Sequence, residues 1–276
     1  MQIEAWPKES TSVFIKQCQM KKLILAFIIS LFVISLRAQE LPNRKDPVFK
    51  AGEELKYRFR YGFITAAEAT LKVKETDVKF NSQPVYQLTA EGRTAGTFNV
   101  FYKVRNRYDS YIDKTDLVPY LYTENIREAS YRRNDKARFY QDQKKIVTNR
   151  GNFKGDGQTF DIVSAYYFAR SLDLSKIRPG DTFKLDYFLS NSVSDLEVMY
   201  VGKERVKTSL GTFNCLKFNP SIQPGRIFRK DSKLFLWITD DNNRIPIKAQ
   251  VEILVGSVTM ELISASGLKY PLMAAD

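Results

Sequence analysis

The sequence predicts an all-β (mainly β) protein, with curved antiparallel sheets or a sandwich in two related halves and one connecting α-helix. Three observations lead to this prediction. Apolar and polar residues alternate with a period of two over most of the chain, turn residues separate the alternating runs, and one segment alone has a helical period. Short strands at regular spacing are typical of an antiparallel sandwich or strongly curved sheet.

Residues 20–38 predict a secretory signal peptide. Lys21 and Lys22 precede an uncharged apolar run, 23–36, and Ala38 is a small residue suited to cleavage. The run is shorter than the roughly 20 residues that a membrane-spanning helix needs. We interpret residues 1–19 as an upstream extension that is not native to the protein. We expect a periplasmic protein with no transmembrane segment after cleavage. It should not be a lipoprotein, since no cysteine follows the apolar run at the new N-terminus.

After a linker at 39–48, the first β half is expected over residues 49–150. Its clearest strand is EELKYRFRYG, where Leu55, Tyr57 and Phe59 alternate with charged residues. Such a strand has one buried face and one face in water. Strand patterns follow at 67–74 and at about 85–91, 99–112, 119–128, 131–140 and 145–149.

Residues 151–178 are expected to form a glycine-rich loop and the helix. In DIVSAYYFARSLDL, 161–174, one helical stripe carries Ile162, Ala165, Tyr166, Ala169 and Leu172. Tyr167 and Arg170 fall beside this stripe, close enough to line a groove.

The second β half is expected over 179–266, followed by a tail at 267–276. Strand patterns lie at about 182–190, 195–206, 213–219, 233–239, 246–254 and 257–264. The glycine-acid pair that opens the first half recurs at Gly180, 128 residues later, and the turn DKTDLVP recurs as DDNNRIP, 127 residues later. These repeats favour an internal duplication with the helix as connector.

Four stretches in a specific order resemble a known family: AGEELKYRFRYGFITAAEATL, DIVSAYYFARSLDL, VGKERVKTSLGTFNCLKFNP and KLFLWITDDNNRIPIKAQVEILVGSVTMEL. On these stretches the chain is similar to the domain-of-unknown-function 3108 family of exported bacterial proteins. The resemblance implies an envelope protein rich in β structure, without an established activity.

The composition argues against most catalytic chemistry. The chain has no histidine, which removes Ser-His-Asp and Cys-His catalysis and imidazole metal sites. After residue 38 the one cysteine is Cys215, expected in the core. We therefore predict a protein that is not an enzyme and needs no cofactor. The net charge of +12 favours anionic partners, and export argues against nucleic acid.

Three groups of residues are candidate sites. Alternation places Lys103, Arg105 and Arg107 on one strand face, where they could hold an anionic headgroup or sugar acid, although a solvated strand face is the simpler interpretation. If a pocket exists, its aromatic residues are expected to be Tyr166, Tyr167, Phe235 and Trp237, with Arg170 beside them. Asp240 and Asp241 are weak metal candidates, because the same residues suit a tight turn.

The leading functional hypothesis is an exported, non-enzymatic binding or carrier protein of the cell envelope, for an amphiphile or anionic glycan. An envelope lipid or anionic glycan would be the partner, with possible peripheral membrane contact. A structural or assembly factor that binds a protein through a sheet edge is the second hypothesis. A carboxylate-based hydrolase is the third. An internal apolar cavity would favour the carrier, an exposed uncharged edge strand the assembly factor, and two acids converging in a cleft the hydrolase.

Overall fold

The structure is a computed structural model that describes residues 46–221 and 232–275. The predicted signal peptide, the upstream extension and most of the predicted linker lie outside the described residues. Asp46 at the start of the described chain forms an ion pair with Lys269 near its end, with 2.6 Å between the carboxylate and Nζ.

The described chain forms fifteen strands and two helices. The first eight strands are β1 (Glu54–Tyr61), β2 (Ile64–Phe80), β3 (Gln83–Thr94), β4 (Arg105–Asp113), β5 (Pro119–Glu128), β6 (Tyr131–Tyr140), β7 (Lys145–Thr148) and β8 (Gly151–Lys154). The others are β9 (Thr159–Phe160), β10 (Thr182–Leu189), β11 (Ser192–Thr208), β12 (Gly211–Pro220), β13 (Leu234–Thr239), β14 (Pro246–Glu252) and β15 (Ser257–Ser266). Helix α1 (Phe98–Phe101) lies between β3 and β4, and helix α2 (Ile162–Arg170) lies between β9 and β10.

All fifteen strands belong to one sheet, in the order β8-β7-β6-β5-β4-β3-β2-β1-β15-β14-β13-β12-β11-β10-β9. Neighbouring strands are antiparallel except β9 and β10. The sheet is curved so strongly that side chains near its two ends are in contact. The ring centroid of Phe188 in β10 lies 5.3 Å from that of Phe153 in β8 and 6.3 Å from that of Phe139 in β6. The predicted all-β class and curved antiparallel architecture are confirmed.

The two halves, β1–β6 and β10–β15, have the same strand order. Strands β1 and β10 each have 8 residues, and β2 and β11 each have 17. The turn before each first strand is also shared: Gly52 and Gly180 have φ of 94° and 95°, a left-handed conformation that glycine adopts without strain. Each of these glycines donates its N–H to the second strand, at Val73 and Tyr200.

Two stretches differ from the sequence predictions. The strand expected over 99–112 begins only at Arg105, because Phe98–Phe101 forms the short helix α1. The glycine-rich segment expected to be a loop contains the short strands β8 and β9. In both places the segment is too short for periodicity to separate helix, strand and loop.

Helix α2 lies against the sheet and forms the centre of the larger apolar core. Asp161 caps its N-terminus by accepting hydrogen bonds from the backbone N–H groups of Val163 and Ser164. The buried side of the helix carries Val163, Tyr167 and Phe168. Within the described ranges no helix is long and apolar enough to span a membrane.

A second, smaller core lies around Trp237 and Cys215. Leu268 and Leu272, from the predicted tail, pack against it. The N–H of Ala275 also donates to the carbonyl of Thr212 at 2.6 Å. The segment after β15 is therefore packed onto the protein.

Candidate functional site

An apolar cavity of about 330 Å³ lies between helix α2 and strands β10–β14. Its size is at the lower end of the range for small-molecule sites, roughly 300–1,000 Å³. The helix contributes Ile162, Ala165, Tyr166, Ala169 and Arg170. The other lining residues are Leu174, Phe183, Leu185, Tyr187, Leu189, Leu196, Val198, Phe218, Pro220, Leu236, Ile238 and Pro246.

Most of the predicted apolar stripe of the helix lines this cavity, whereas Leu172, also in the stripe, is buried in the larger core. Ile162, Ala165, Tyr166 and Ala169 all line the open space, whereas the opposite side of the helix is in the core. The helix can do this because it is apolar on both sides. Of this stripe, the sequence pattern predicted Tyr166 as a pocket residue, but not Ile162, Ala165 or Ala169.

Tyr166, on the cavity wall, is hydrogen-bonded to Tyr57, a residue of the second core that does not line the cavity. The hydroxyl oxygens of Tyr166 in α2 and Tyr57 in β1 are 3.0 Å apart, and either can be the donor. Burial raises the pKa of Tyr166 to about 12, so its hydroxyl keeps its proton at neutral pH. The pair shares one hydrogen bond but holds two protons. A bound molecule could therefore accept a hydrogen bond here.

Arg170, also on the cavity wall, is held by a buried ion pair. Its guanidinium donates to both carboxylate oxygens of Glu53, at 2.6 and 3.0 Å, and to the carbonyl of Asn243 at 3.0 Å. Burial alone would lower the pKa of Arg170, but the adjacent Glu53 carboxylate raises it above its usual value. The charge of Arg170 is thus retained and locally neutralised, which favours an uncharged group nearby over an anion.

Of the four aromatic residues predicted to line a pocket, one lines the cavity and three lie elsewhere. Tyr166 lines the cavity, but Tyr167 points away from it and packs on Phe49, with ring centroids 4.8 Å apart. Phe235 and Trp237 belong to the second core, where the Nζ of Lys217 lies over both rings. Their chain neighbours Leu236 and Ile238 line the cavity in their place. Because β13 is apolar on both faces, alternation could not tell which face is open.

The predicted basic stripe lies at a polar groove on the first half. Arg105 and Arg107 line this groove, whose volume is about 630 Å³. Arg107 is paired with Asp109 and Glu91, at 2.7 and 3.2 Å. Arg105 donates to two backbone carbonyls and to the side chain of Asn99. Lys103 lies before β4 and is exposed.

The aspartates weighed as metal ligands have structural partners. Oδ1 of Asp241 accepts hydrogen bonds from the Thr239 hydroxyl and from the N–H groups of Asn243 and Arg244, which closes the turn after β13. Asp240 pairs with Lys203 at 2.7 Å. Among the described residues no group of three metal-binding side chains converges.

Cys215 is buried in β12, and burial raises the pKa of its thiol to about 12. A buried, protonated thiol is a poor nucleophile. Its position agrees with the core role expected from the sequence.

Sequence reasoning missed most of the cavity. Phe183, Leu185 and Leu196 appeared only as the apolar half of alternating strands, which gives their face but not what lies opposite. Glu53 is far from Arg170 along the chain, and no local pattern connects them. The one signal in the sequence was the acidic residue after each repeated glycine, Glu53 and Asp181. The two have different roles, because Glu53 is buried with Arg170 whereas Asp181 closes a turn by accepting a hydrogen bond from the N–H of Arg178.

The comparisons with known proteins show the family and the fold. A family model described as "Protein of unknown function (DUF3108)" matches residues 56–263. No curated protein matches the sequence.

Solved structures match the chain at low sequence identity. A β-barrel-like protein of domain of unknown function DUF1849 from Brucella abortus has a TM-score of 0.54 and 8% identity, and the match covers 81% of this chain and 99% of that chain. A protein with a YmcC-like fold from Bacteroides fragilis has a TM-score of 0.36 and 12% identity, covering 82% of this chain and 100% of that chain. A hypothetical protein from Chlamydia trachomatis has a TM-score of 0.35 and 8% identity, covering 82% and 94%. The match to the Brucella abortus protein supports the β-barrel-like fold and says nothing about function.

Proposed function

Since the chain belongs to the DUF3108 family of proteins of unknown function, we propose from its own geometry that it is an exported, non-enzymatic carrier that holds an amphiphile in the apolar cavity. One observation carries the proposal: the cavity between α2 and β10–β14 is lined almost entirely by apolar side chains, with polar groups at one wall. Sites for small apolar molecules have this composition. Export rests on the sequence pattern of residues 20–38.

The polar wall favours an amphiphile whose head is uncharged. Arg170 already has a carboxylate partner in Glu53, so an anionic head would meet a neutralised pair and would lose its hydration without compensation. The hydroxyl of Tyr166, which lines the cavity, offers a hydrogen bond to a hydroxyl, ester or amide oxygen. An anionic glycan fits the polar groove less well, because carboxylates such as Glu68 and Glu91 also line it.

The two other functional hypotheses have less support. The described edge strands are short: β8 has 4 residues and ends in Lys154, and β9 has 2 buried residues. Short and charged edges limit pairing with another chain. A hydrolase needs two converging carboxyl groups, and no carboxylate among the described residues lines the cavity.

The test is native mass spectrometry of the protein purified from the periplasm without detergent. We expect a mass above that of the chain alone, removable by organic extraction. The emptied protein should then bind the apolar fluorophore N-phenyl-1-naphthylamine with increased fluorescence.

A matched pair of variants locates the binding. Ala169→Phe fills the cavity and should weaken fluorophore binding about tenfold or more, whereas Val78→Phe adds the same side chain at an exposed position of β2 and should not. A chain that stays bare and binds no fluorophore, or an Ala169→Phe variant that binds as well as the wild type, would exclude the cavity as a carrier site.

A further inference from the structure

We propose that one end of the sheet is a membrane-docking surface that inserts apolar loop tips into an anionic lipid bilayer. In an antiparallel meander every second connection lies at the same end of the sheet. Among the fully described connections this end, the loop end, holds the β1–β2, β3–β4, β5–β6, β7–β8, β10–β11 and β14–β15 connections. The proposal rests on these connections and does not require the cavity to hold a ligand.

Three connections at the loop end expose large apolar side chains. Phe63 is 104% exposed, Val100 is 80% exposed and Phe101 is 85% exposed. Leu254 and Val255, in the β14–β15 connection, are more than half exposed. Together with Ile64 these residues form the loop patch: Phe63, Ile64, Val100, Phe101, Leu254 and Val255.

Hydrogen bonds hold these tips together as one surface. The hydroxyl of Tyr61 in β1 donates to the carbonyl of Val255 at 3.0 Å. The N–H of Ala95, just before α1, donates to the carbonyl of Ala66 in β2 at 3.0 Å. The β1–β2 connection therefore lies between the other two, and the apolar tips project from one end of the molecule.

The opposite end of the sheet has a different character. Its connections carry turn residues such as Asn81, Ser82 and Asp116. Its exposed large apolar residues are Met273 in the C-terminal segment and three that are each less exposed than the loop patch, Leu210, Val78 and Tyr140. Apolar exposure concentrated at one end, with bulky aromatic residues at the tips, is typical of an interaction surface. Phenylalanine and leucine tips suit the boundary between headgroups and acyl chains.

Charge points to a lipid surface rather than to an apolar protein face. Exposed Arg60, Lys103 and Arg132 border the loop patch, and the N–H of Ala129 donates to the carbonyl of Lys103, so the β5–β6 turn joins the same surface. Glu252, at the end of β14, is an exposed carboxylate there. Cations around an apolar patch complement anionic headgroups. Lys103, predicted as a headgroup ligand in a basic stripe, thus has a place at this border.

The cavity opens toward the same end. Ile162 and Leu189 are its two exposed lining residues, and Leu189 directly precedes the β10–β11 turn. A protein docked by its loop end would therefore present the cavity mouth to the bilayer.

Flotation of the purified protein with vesicles tests the proposal. We expect it to float with phosphatidylethanolamine vesicles that contain phosphatidylglycerol, and less with phosphatidylcholine vesicles. Phe63→Ser with Phe101→Ser should weaken binding about tenfold or more, since two apolar anchors are lost. Both residues are exposed, so the fold should remain, as circular dichroism would check. Lys103→Gln with Arg132→Gln should reduce binding to the anionic vesicles alone.

The matched control is Val78→Ser with Tyr140→Ser, which removes two exposed apolar side chains outside the loop end and should float like the wild type. Wild-type protein that stays unbound, or a Phe63→Ser/Phe101→Ser variant that floats as well as the wild type, would overturn the proposal. Fluorophore binding in solution is measured on the same variants. Because it does not involve vesicles, it separates failure of docking from failure of the carrier function.

Discussion

The two halves of the sheet have matching strands but contact helix α2 differently. The first half closes on the helix: Phe49 packs between Tyr86 of β3 and Tyr167 of α2, and the Ser110 hydroxyl in β4 donates to Asp161 at 2.6 Å. The second half leaves about 330 Å³ open along the other side of the same helix. One helix therefore has a packed side and an open side.

The two halves also differ at a matching position before their first strands. Ile177, before β10, occupies the position that Phe49 occupies before β1, and it is only partly buried. Ile177 does not line the cavity, so this difference accompanies the open side of the helix and does not create it. Duplicated architecture can thus keep one half as scaffold and use the other for binding, without a change in strand order.

The largest expected effect on stability comes from breaking the buried ion pair between Arg170 of helix α2 and Glu53 of the first half. Glu53→Gln leaves the buried Arg170 guanidinium without its carboxylate, and we expect a loss of about 3–5 kcal/mol in the free energy of unfolding by urea. The adjacent Glu54→Gln removes a partly exposed partner of Lys56 and Lys72, and should cost about 1 kcal/mol or less.

If the Glu53 variant does not fold, the double variant Glu53→Gln with Arg170→Met distinguishes the cause. It removes the unpaired charge and should recover much of the stability. Equal losses for Glu53→Gln and Glu54→Gln would contradict the role given to the buried pair.

A smaller effect on the free energy of unfolding is expected from enlarging an alanine, with opposite signs in the packed half and on the open side of helix α2. Ala137→Leu, in the packed core of the first half, overfills it and should destabilise by about 1–3 kcal/mol. Ala169→Leu extends into the cavity and should be neutral or stabilising by about 1 kcal/mol, with weaker binding of the apolar fluorophore. Urea unfolding of the two variants measures both, and the same loss at both positions would mean that the cavity is not open in solution.

The smallest expected effect is on stability in acid. It concerns Asp135 in β6 and Glu261 in β15, which occupy matching positions in the sixth strand of each half. Desolvation would raise the pKa of Asp135, but hydrogen bonds from Arg150, Asn149 and Arg133 lower it to about 2. Hydrogen bonds from Ser209 likewise lower the pKa of Glu261 in β15. A carboxylate with a lowered folded pKa stabilises the protein above its unfolded pKa, and this contribution is lost as the pH falls through the folded value.

For Asp135 the window is therefore from pH about 4 down to about 2. We expect Asp135→Asn to cost about 1 kcal/mol at pH 7 and less at pH 3, because solvent screens the half-exposed Arg150 and the unfolded aspartate is already mostly protonated at the lower pH. Urea unfolding at both pH values measures it, with Asp77→Asn, an exposed aspartate of β2, as the control. A constant cost at the two pH values would show that charge is not involved.

Sequence reasoning located the strands well because strand signals are local. Alternation and turn residues predicted 119–128 and 131–140, which are the bounds of β5 and β6. The paired turns at Gly52 and Gly180 also signalled the matching halves. These features depend on neighbours along the chain, so a single sequence contains them.

The site was harder to predict because it depends on residues brought together from distant strands. The helix residues Tyr166 and Arg170 were identified, but Trp237 was favoured over Leu236 on a strand with two apolar faces. Which face has an open space opposite it depends on the packing of the whole sheet. The glycine-rich and apolar segments that became β8 and α1 were too short for a period to decide.

The pairing of β1 with β15 has a consequence for how the protein is made. Tyr57 and Leu262 are paired in the sheet although about two hundred residues separate them, and such distant pairings make folding slow. A chain that emerges from a ribosome or a translocation pore with its N-terminus first exposes β1 long before its last partner arrives. Until then one edge of β1 is unpaired and open to aggregation. Strand β15 therefore joins the two halves at the middle of the sheet, so a truncation that removes β15 would leave both halves with an open edge.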